Sequence, residues 1–283
     1  MSARFTAACL QLTSAREIEP NIAAVRDLAR RARDAGADLI MTPEVTDRME
    51  PRRETVLATA RTERDHAMLL ACRAVARETG AWFLLGSAVV KLEDDERVAN
   101  RSFLIAPDGG IAARYDKIHM FDVDLEGGES YRESRSYRPG DRAVLADLPW
   151  GRLGMSICYD LRFADLYRAL AQAGASFLSI PAAFTVPTGR AHWHVLMRAR
   201  AIENFCFVFA PAQSGEHAEG RRTYGHSLIV APWGEILAEA EDGPGFITAT
   251  IDVAKVAEAR GAVPSLSHDR PFAPPTPKPL AAQ

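Results

Sequence analysis

Residues 154–163 read GMSICYDLRF, and the prediction of the fold starts from this stretch. Its first half is a short apolar run that is typical of a buried strand, and its second half carries the polar residues expected where a helix begins. Cys158 lies between the two halves. Backbone N–H groups at the start of a helical segment can lower a thiol pKa and can hold an oxyanion. The stretch therefore predicts a junction that suits a nucleophilic cysteine.

The same alternation of strand and helix extends outward from this junction. Pro20 begins a run with helical period and Gly36 ends it, so residues 20–35 are predicted to form a helix. Further helices are predicted at residues 65–79, 163–173 and 190–203, and strands at residues 5–10, 39–41, 82–87, 102–105, 153–157, 177–180, 205–210, 227–230, 236–239 and 246–251. Turn residues at 107–110 and 232–234 predict hairpins. We therefore predict an α/β fold with mixed sheets that pack together under outer helices.

Composition favours one large domain and a short tail. The chain has 283 residues, of which 47% are hydrophobic, and this is enough for a substantial core. We predict the domain at residues 1–270. The tail, residues 271–283, contains five prolines, which prevent a regular helix. Residues 122–142 combine glycine, proline and charged residues, as is typical of a long surface loop that carries function.

The charge pattern excludes several classes of partner. Lys and Arg number 34 against 37 Asp and Glu, and no block of like charges provides a nucleic-acid footprint. No apolar stretch approaches the roughly 20 residues needed to cross a bilayer, and no secretory signal precedes the first strand. We expect a small-molecule partner, with no nucleic acid and no membrane. The cysteines are widely spaced, which predicts no disulfide framework and a reducing cytoplasm.

Two further segments change the interpretation of Cys158, because a cysteine taken alone is most often a buried packing residue. Residues 39–44, LIMTPE, place Glu44 directly after an apolar strand. Residues 115–122, YDKIHMFD, place Lys117 before an Ile-His-x-Phe-Asp run. In order and spacing, the three segments resemble the Glu-Lys-Cys triad of the nitrilase, or carbon–nitrogen hydrolase, superfamily.

The resemblance continues through residues 181–184, 192–204 and 225–234, and so covers nearly the whole chain except the tail. It implies a four-layer α-β-β-α sandwich with two mixed sheets, whose protomers usually form a homodimer. Residues 121–124 resemble the Nit branch, which includes omega-amidases and deaminated-glutathione amidases acting on amides of small carboxylic acids. The chain departs from that branch at residues 164–165, where Ala-Asp replaces the usual Pro-Glu.

The resemblance also implies roles for the site residues. Glu44 would take the proton of Cys158, and the thiolate would attack the amide carbonyl. Lys117 and the Tyr159 backbone N–H would stabilise the oxyanion. A water activated by Glu44 would then hydrolyse the thioester. Glu133 matches a second carboxylate of the family and is expected to orient Lys117 or the substrate amide. This chemistry requires no cofactor and no metal.

Four residues are expected to bind the substrate: Tyr159, Arg162, Phe121 and Ala183. Arg162 has two readings that stay open at this point. Its guanidinium would hold a substrate carboxylate through a bidentate contact, or it would pair with a structural acid such as Asp160.

Other functions remain open beside the amidase. Nitrile hydrolysis, N-carbamoyl amine hydrolysis and acyl transfer all use the same triad, and a catalytically idle relative would bind a metabolite or a partner protein. A cysteine–histidine protease would need a histidine base, and no histidine has a motif comparable to that of Glu44. His192 and His194 do not share a helix face at their spacing, so a metal pair is not expected. Arg198, Arg200 and Glu203 are predicted to form a helix-surface ion network, which could lie at a subunit contact.

Overall fold

Two six-stranded sheets form the centre of the computed structural model, in which residues 4–124, 130–273 and 275 are described. The strands are β1 (Arg4–Gln11), β2 (Leu39–Met41), β3 (Trp82–Lys91), β4 (Val98–Ile105), β5 (Ile111–Asp116), β6 (Asp122–Asp124), β7 (Ser130–Arg132), β8 (Val144–Leu148), β9 (Gly151–Met155), β10 (Ala175–Ser179), β11 (Phe207–Ala210), β12 (Ser214–Glu216), β13 (Arg222–Tyr224), β14 (Leu228–Val230), β15 (Ile236–Glu239) and β16 (Gly245–Asp252). The helices are α1 (Ile18–Asp34), α2 (Arg53–Thr59), α3 (Ala67–Thr79), α4 (Ala164–Gln172), α5 (Val186–Asn204) and α6 (Ala254–Ala262).

The two sheets share one plan. The first has the order β16-β1-β2-β3-β4-β5 and the second has the order β15-β14-β11-β10-β9-β8. In each sheet three parallel strands lie together, β1-β2-β3 in the first and β9-β10-β11 in the second, and antiparallel strands flank them. Hairpins at the predicted turns join β4 to β5 and β14 to β15. Both sheets are therefore mixed, as predicted.

Alternation along β1 shows how the layers are stacked. Phe5, Ala7 and Cys9 pack in the cluster that contains the second sheet, whereas Ala8 and Leu10 pack with α1 and α3. Side chains of a strand point to opposite faces in turn, so β1 is buried on both sides. Helices α4 and α5 pack on the other side of the second sheet, in the same cluster. The layer order is helix, sheet, sheet, helix, which confirms the predicted four-layer sandwich.

Every predicted helix and strand is present; the strands at residues 39–41 and 236–239 have the predicted ends, and the other elements have shifted ends. The predicted strand at residues 205–210 begins only at Phe207, because Phe205 adopts a left-handed conformation (φ 46°) that ends α5. Elements that the sequence did not predict include β8, α2 and α6, and for β5 the predicted turn at residues 107–110 indicated a hairpin without giving the bounds of its second strand. Apart from the buried Tyr115, β5 has half-buried and exposed positions at a sheet edge and carries charged residues, so its apolar signal is weak.

Parts of two predicted segments lie outside the described residues. These are Gly127 and Gly128 of the predicted loop and most of the tail at 271–283. The described part of residues 122–142 contains the short hairpin β6-β7 and a 3-10 turn, Glu133–Arg135. The division between domain and tail at residue 270 therefore stays a prediction. Within the ranges that the structure describes, no helix is long and apolar enough to cross a membrane.

Candidate active site

The three motif residues meet beyond the ends of three strands. Glu44 follows β2 in the first sheet, Lys117 follows β5 at the edge of that sheet, and Cys158 follows β9 in the second. Their exposed fractions are 5%, 2% and 7%. All three line a cavity of about 520 Å³, together with Glu133. The sandwich therefore brings an acid, a cation and a thiol from both sheets to one cavity.

Lys117 lies between two carboxylates. Its Nζ is 2.8 Å from Glu44 Oε1, and 3.0 and 2.9 Å from the two oxygens of Glu133. The Asn100 side-chain amide joins the same carboxylates, donating to Glu44 at 3.0 Å and to Glu133 at 3.2 Å. An ammonium in the interior is costly unless it is paired and hydrogen-bonded. Here both conditions are met, and the side chain of Lys117 is held in one place.

Backbone N–H groups hold the carboxylates from their other sides. Ala183 N–H donates to Glu44 Oε2 at 3.0 Å, and Phe121 N–H donates to Glu133 Oε2 at 2.7 Å. The Glu44 carboxylate also lies near enough to the Cys158 thiol for its charge to raise the pKa of the thiol. Phe121 and Ala183, which the sequence predicted to bind substrate, line the cavity, and their backbone groups also orient the two acids.

Electrostatics set the resting protonation states. Burial disfavours the ionised form of Glu44, but the charge of Lys117 and the hydrogen bonds from Lys117 and Cys158 outweigh it and keep the pKa of Glu44 below its usual value. Burial likewise disfavours the ammonium, yet Glu133 and Glu44 raise the pKa of Lys117 well above its usual value. Burial and the Glu44 charge raise the pKa of Cys158 far more than Lys117 lowers it. The resting site contains a carboxylate, an ammonium and a neutral thiol.

A strained turn presents Cys158. Its φ is +49°, a region that non-glycine residues occupy at a cost of about 1–3 kcal/mol. The Cys158 N–H donates to Pro181 O at 2.9 Å. The buried carboxylate of Asp160 accepts from Ile157 N–H at 2.9 Å and from Tyr115 O–H at 2.7 Å. These bonds hold the turn closed, and they give Asp160 a positioning role that the sequence did not predict.

Arg200 supports the same turn from α5. The sequence predicted a surface ion network of Arg198, Arg200 and Glu203; the Arg200–Glu203 ion pair is present, but the surface position is wrong for Arg200, whose side chain is only 7% exposed. Its guanidinium donates to Leu161 O at 2.9 and 2.7 Å and pairs with Glu203 at 2.6 Å. Arg198 instead donates to Gly234 O at 2.8 Å. The hydrogen bonds from Arg200 to the Leu161 carbonyl therefore link α5 to the segment that contains Cys158.

Gly86 lies where β3 passes very close to the backbone that precedes Glu44. A side-chain carbon on Gly86 would lie 1.9 Å from Thr42 O and 2.6 Å from Pro181 Cβ, so only glycine fits. The β3-β4 pairing shifts register between Leu85 and Ala88, beside this point. The irregularity brings β3 next to the chain before Glu44 and next to the segment that receives the Cys158 N–H.

The predicted rim residues also line the cavity. Tyr159 and Arg162 are both in its wall. The Arg162 guanidinium lies 5.9 Å from the Tyr159 ring and 5.5 Å from the Phe184 ring, and it is 3.3 Å from His192 Nδ1. Within the described residues Arg162 forms no ion pair with Asp160, so the structural reading of this arginine is not what the geometry favours.

Sequence reasoning missed Asn100 and Arg221. Asn100 precedes the predicted strand at residues 102–105, and only its burial between two acids distinguishes it. Arg221 lines the cavity with its guanidinium 5.6 Å from the Tyr131 ring. Its Nε is buried, with no hydrogen-bond partner in the part of the chain that the structure describes. No motif in the sequence marks either residue.

A buried thiol and a carboxylate beside a fixed ammonium, all in the wall of one cavity in a four-layer sandwich, define the class of Glu-Lys-Cys hydrolases. The chain belongs to the carbon–nitrogen hydrolase family, whose profile, Carbon-nitrogen hydrolase, matches residues 6–261. It is therefore a member of the nitrilase superfamily and a hydrolase of amide carbon–nitrogen bonds.

Individual relatives agree with this assignment. The deaminated glutathione amidase of Yersinia enterocolitica is 40% identical over 272 residues, which cover 93% of this chain and 92% of that protein. The crystal structure of the C. elegans NitFhit protein matches with a TM-score of 0.88 at 36% identity, over 95% of this chain; the match spans 66% of that longer chain. Saccharomyces cerevisiae Nit3, a nitrilase-superfamily member, matches with a TM-score of 0.85 at 26% identity, over 95% and 97% of the two chains.

Removing the Lys117 charge should shift the pH dependence of Cys158 alkylation. In the wild type we expect the rate with iodoacetamide to fall only below about pH 4.3, the ordinary glutamate value, because Lys117 keeps Glu44 ionised. In Lys117→Gln, Glu44 is still buried but no longer has the neighbouring ammonium that favours its ionised form. The pH at which the alkylation rate is half its maximum should therefore rise by about 1–3 pH units. The measurement is mass-spectrometric labelling of Cys158 across pH, with circular dichroism as the test of folding.

Lys91→Gln is the matched control, because Lys91 is an exposed lysine at the end of β3. It should keep the wild-type midpoint. An unchanged midpoint in folded Lys117→Gln would show that Lys117 does not set the charge of Glu44.

Proposed function

We propose that this protein is an amidase that hydrolyses a small linear amide bearing carboxylates, of the deaminated-glutathione type, through a thioester on Cys158. The observation that carries the proposal is that Glu44, Lys117 and Cys158 are buried together in the wall of one cavity, with the Glu44 carboxylate 2.8 Å from the Lys117 ammonium. The substrate class is supported by relatives that are named deaminated glutathione amidases.

Acylation uses the three groups together. Glu44 takes the proton of Cys158, and the sulfur attacks the amide carbonyl carbon. The carbonyl oxygen becomes an oxyanion, which the Lys117 ammonium and the Tyr159 backbone N–H stabilise. The carbon–nitrogen bond then breaks as Glu44 returns the proton to the leaving nitrogen. Cys158 is left as a thioester, and ammonia or an amine departs.

Deacylation reuses the same carboxylate. Glu44 removes a proton from a water molecule, and the hydroxide attacks the thioester carbonyl. The carbon–sulfur bond breaks, the carboxylic acid is released, and the proton on Glu44 returns to the sulfur. The cycle restores the carboxylate, the ammonium and the neutral thiol, so it needs neither redox chemistry nor a co-reactant other than water.

Glu133 and Asn100 are positioning residues in this proposal. Neither has to exchange a proton with the substrate, because Glu133 keeps Lys117 charged and Asn100 ties Glu133 to Glu44. The arrangement leaves one net negative charge in the interior, which favours a carboxylate able to accept the thiol proton. Tyr159 lies at the wall of the cavity and offers its ring to the bound substrate.

Free arginines in the cavity wall support a carboxylate-bearing substrate. Arg162 and Arg221 line the cavity and pair with no carboxylate among the described residues. Of the other wall arginines, Arg132 pairs with Asp124 at 2.8 Å, whereas Arg53 donates to the backbone carbonyl of Arg135 at 3.3 Å. A guanidinium recognises a carboxylate through two parallel hydrogen bonds. Arg162 lies in the same short helical segment as Cys158, and Arg221 donates to the carbonyl of Ala183, whose N–H holds Glu44, so these two arginines are the groups that would hold the acid functions of the amide.

The reaction type is tested by ammonia release from a panel of amides, with wild type and Cys158→Ala compared. The panel contains 2-oxoglutaramate as well as a neutral amide, a nitrile and an N-carbamoyl amine, and for deaminated glutathione the measured product is the amine. We expect turnover of the carboxylate-bearing amides by the wild type and a loss of at least about 10⁴-fold in Cys158→Ala. Turnover of only the nitrile, or of only the N-carbamoyl amine, would contradict the amidase proposal and identify the enzyme as a nitrilase or an N-carbamoyl amine hydrolase.

Absence of turnover by the wild type would favour either an acyltransferase or an idle relative. Addition of an amine acceptor such as hydroxylamine separates these two, because an acyltransferase then forms a hydroxamate from the thioester. Retention of activity by Cys158→Ala would contradict the covalent mechanism.

Arg221→Met should change selectivity more than chemistry. Loss of a charge-assisted contact to carboxylate costs about 1.5–3 kcal/mol, so kcat/KM for the carboxylate-bearing amide should fall about 10–100-fold more than kcat/KM for a neutral amide. The measurement is the ratio of the two kcat/KM values. Arg190→Met, an exposed arginine on α5, is the control and should leave the ratio unchanged. Equal losses on both amides would remove Arg221 from carboxylate recognition.

We also propose a homodimer. Apolar side chains of Val195, Ile202 and Trp233 are 68%, 42% and 55% exposed, and they come from α5 and from the β14-β15 turn that packs on it. Exposed apolar patches of this kind mark protein interfaces. Sedimentation velocity of the purified chain tests the proposal, and a monomer at all concentrations would contradict it.

The proposed location is the reducing cytoplasm. Its support is chemical, because Cys9, Cys72, Cys158 and Cys206 are all free thiols, and the mechanism needs one of them reduced. Fractionation of cells that make the protein tests the location, and enrichment outside the cytoplasm would contradict it.

A further inference from the structure

Three side chains outside the active-site cavity converge on one point. His194 lies on α5, His226 precedes β14, and Glu239 ends β15. His194 Nε2 and His226 Nδ1 each lie 2.9 Å from the same oxygen, Glu239 Oε1. The three atoms that could bind a metal ion all lie within 4.8 Å of one another. None of these residues lines the cavity, and the amidase mechanism uses none of them.

The fold holds this cluster in place. His226 has a φ of +55°, a left-handed conformation that is uncommon for residues other than glycine. Its carbonyl accepts from Trp193 Nε1 at 2.7 Å, and the Tyr224 ring packs 4.4 Å from its imidazole. Because Trp193 is fully buried on α5, next to His194, one rigid helix orients both imidazoles.

The three side chains are also partly exposed to solvent. The side chains of His194, His226 and Glu239 are 31%, 28% and 38% exposed. In the described ranges, each imidazole has Glu239 as its single hydrogen-bond partner. The cluster therefore presents a carboxylate and two imidazoles to incoming ions.

We propose that His194, His226 and Glu239 form a binding site for one divalent transition-metal ion per chain, with Zn²⁺ as the best match. Two imidazole nitrogens and one carboxylate oxygen are a common zinc ligand set, and a water would take the fourth position. At metal–ligand distances of about 2.0–2.2 Å, tetrahedral ligand atoms are roughly 3.3–3.6 Å apart. The two observed 2.9 Å contacts would open by about 0.4–0.7 Å, and the two imidazole nitrogens, within 4.8 Å of each other, would settle at the same spacing.

Proton balance is simple at this site. In the metal-free state each imidazole donates an N–H to Glu239, so the nitrogen that faces the ion must lose its hydrogen. A neutral imidazole does this by shifting its proton to its other ring nitrogen, with no net release. Metal binding thus replaces two hydrogen bonds to one carboxylate oxygen by three bonds to the ion.

A bound ion would act as a clamp, meaning a cross-link that holds α5 to the β14-β15 region. Its residues come from α5 and from both strands of the β14-β15 hairpin region, which are distant in sequence. An ion that binds the folded chain and not the unfolded chain stabilises the folded chain by mass action. Helix α5 also carries Arg200, which fastens the Cys158 turn. The clamp therefore stabilises the layer that supports the nucleophile and takes no part in the chemical steps.

The test is zinc titration of the full chain by calorimetry, carried out in the Cys158→Ala background so that the active-site thiol does not bind the metal. We expect one saturable Zn²⁺ site per chain and a higher thermal midpoint with Zn²⁺. His194→Ala and Glu239→Gln should each weaken binding at least tenfold and abolish the zinc-dependent rise in midpoint. His192→Ala, on the same helix two residues away, is the matched control and should bind as the parent does.

Several outcomes would overturn the site. These are no saturable binding in the Cys158→Ala parent, equal binding in His194→Ala or Glu239→Gln, or an equal loss in His192→Ala. Circular dichroism of the metal-free variants shows that they are folded. Glu239→Gln preserves the size of the side chain, so its loss of binding would report the missing charge and not a disrupted hairpin.

Discussion

The Lys117 ammonium lies in the interior, 2% exposed, with Glu44 and Glu133 within 3.0 Å. Burial of an unpaired charge costs several kcal/mol, so this cation persists only where carboxylates and hydrogen-bond donors surround it. The surroundings come from distant parts of the chain: the ends of β2 and β5, a turn after β7, and Asn100 on β4. The site and the fold therefore depend on each other, because each carboxylate is held by backbone that the sandwich positions.

The nucleophile is held by a second set of contacts. Its left-handed backbone is kept in place by Asp160 below the turn and by Arg200 from α5, both nearly inaccessible to solvent. The strain persists because these hydrogen bonds over-determine the turn. The same helix has Trp193 in its buried face and His194 beside it, so the proposed metal clamp and the active site share one rigid support.

Much of the fold was predictable from local patterns. The strands around residues 39–41 and 177–180 are buried on both faces, so their apolar runs are strong signals. The sequence indicated a hairpin at residues 107–110 but not the bounds of β5, whose edge carries charges, and it did not reveal the interior position of Arg200. From the pattern of its own helix alone, an arginine is predicted to face solvent. The carbonyl that accepts the hydrogen bond from Arg200 belongs to Leu161, 39 residues earlier in the chain.

The sequence by itself determined the class of chemistry, since Glu44, Lys117 and Cys158 each lie in a recognisable segment next to a strand end. Only the tertiary structure decided what surrounds them. Packing of distant segments places Asn100 between two acids and Arg221 in the cavity wall. It also brings together the two imidazoles and the carboxylate of the proposed metal site. The physical reason is that strand identity follows from local hydrophobic pattern, whereas side-chain neighbours across a sandwich follow from packing of segments far apart in the chain.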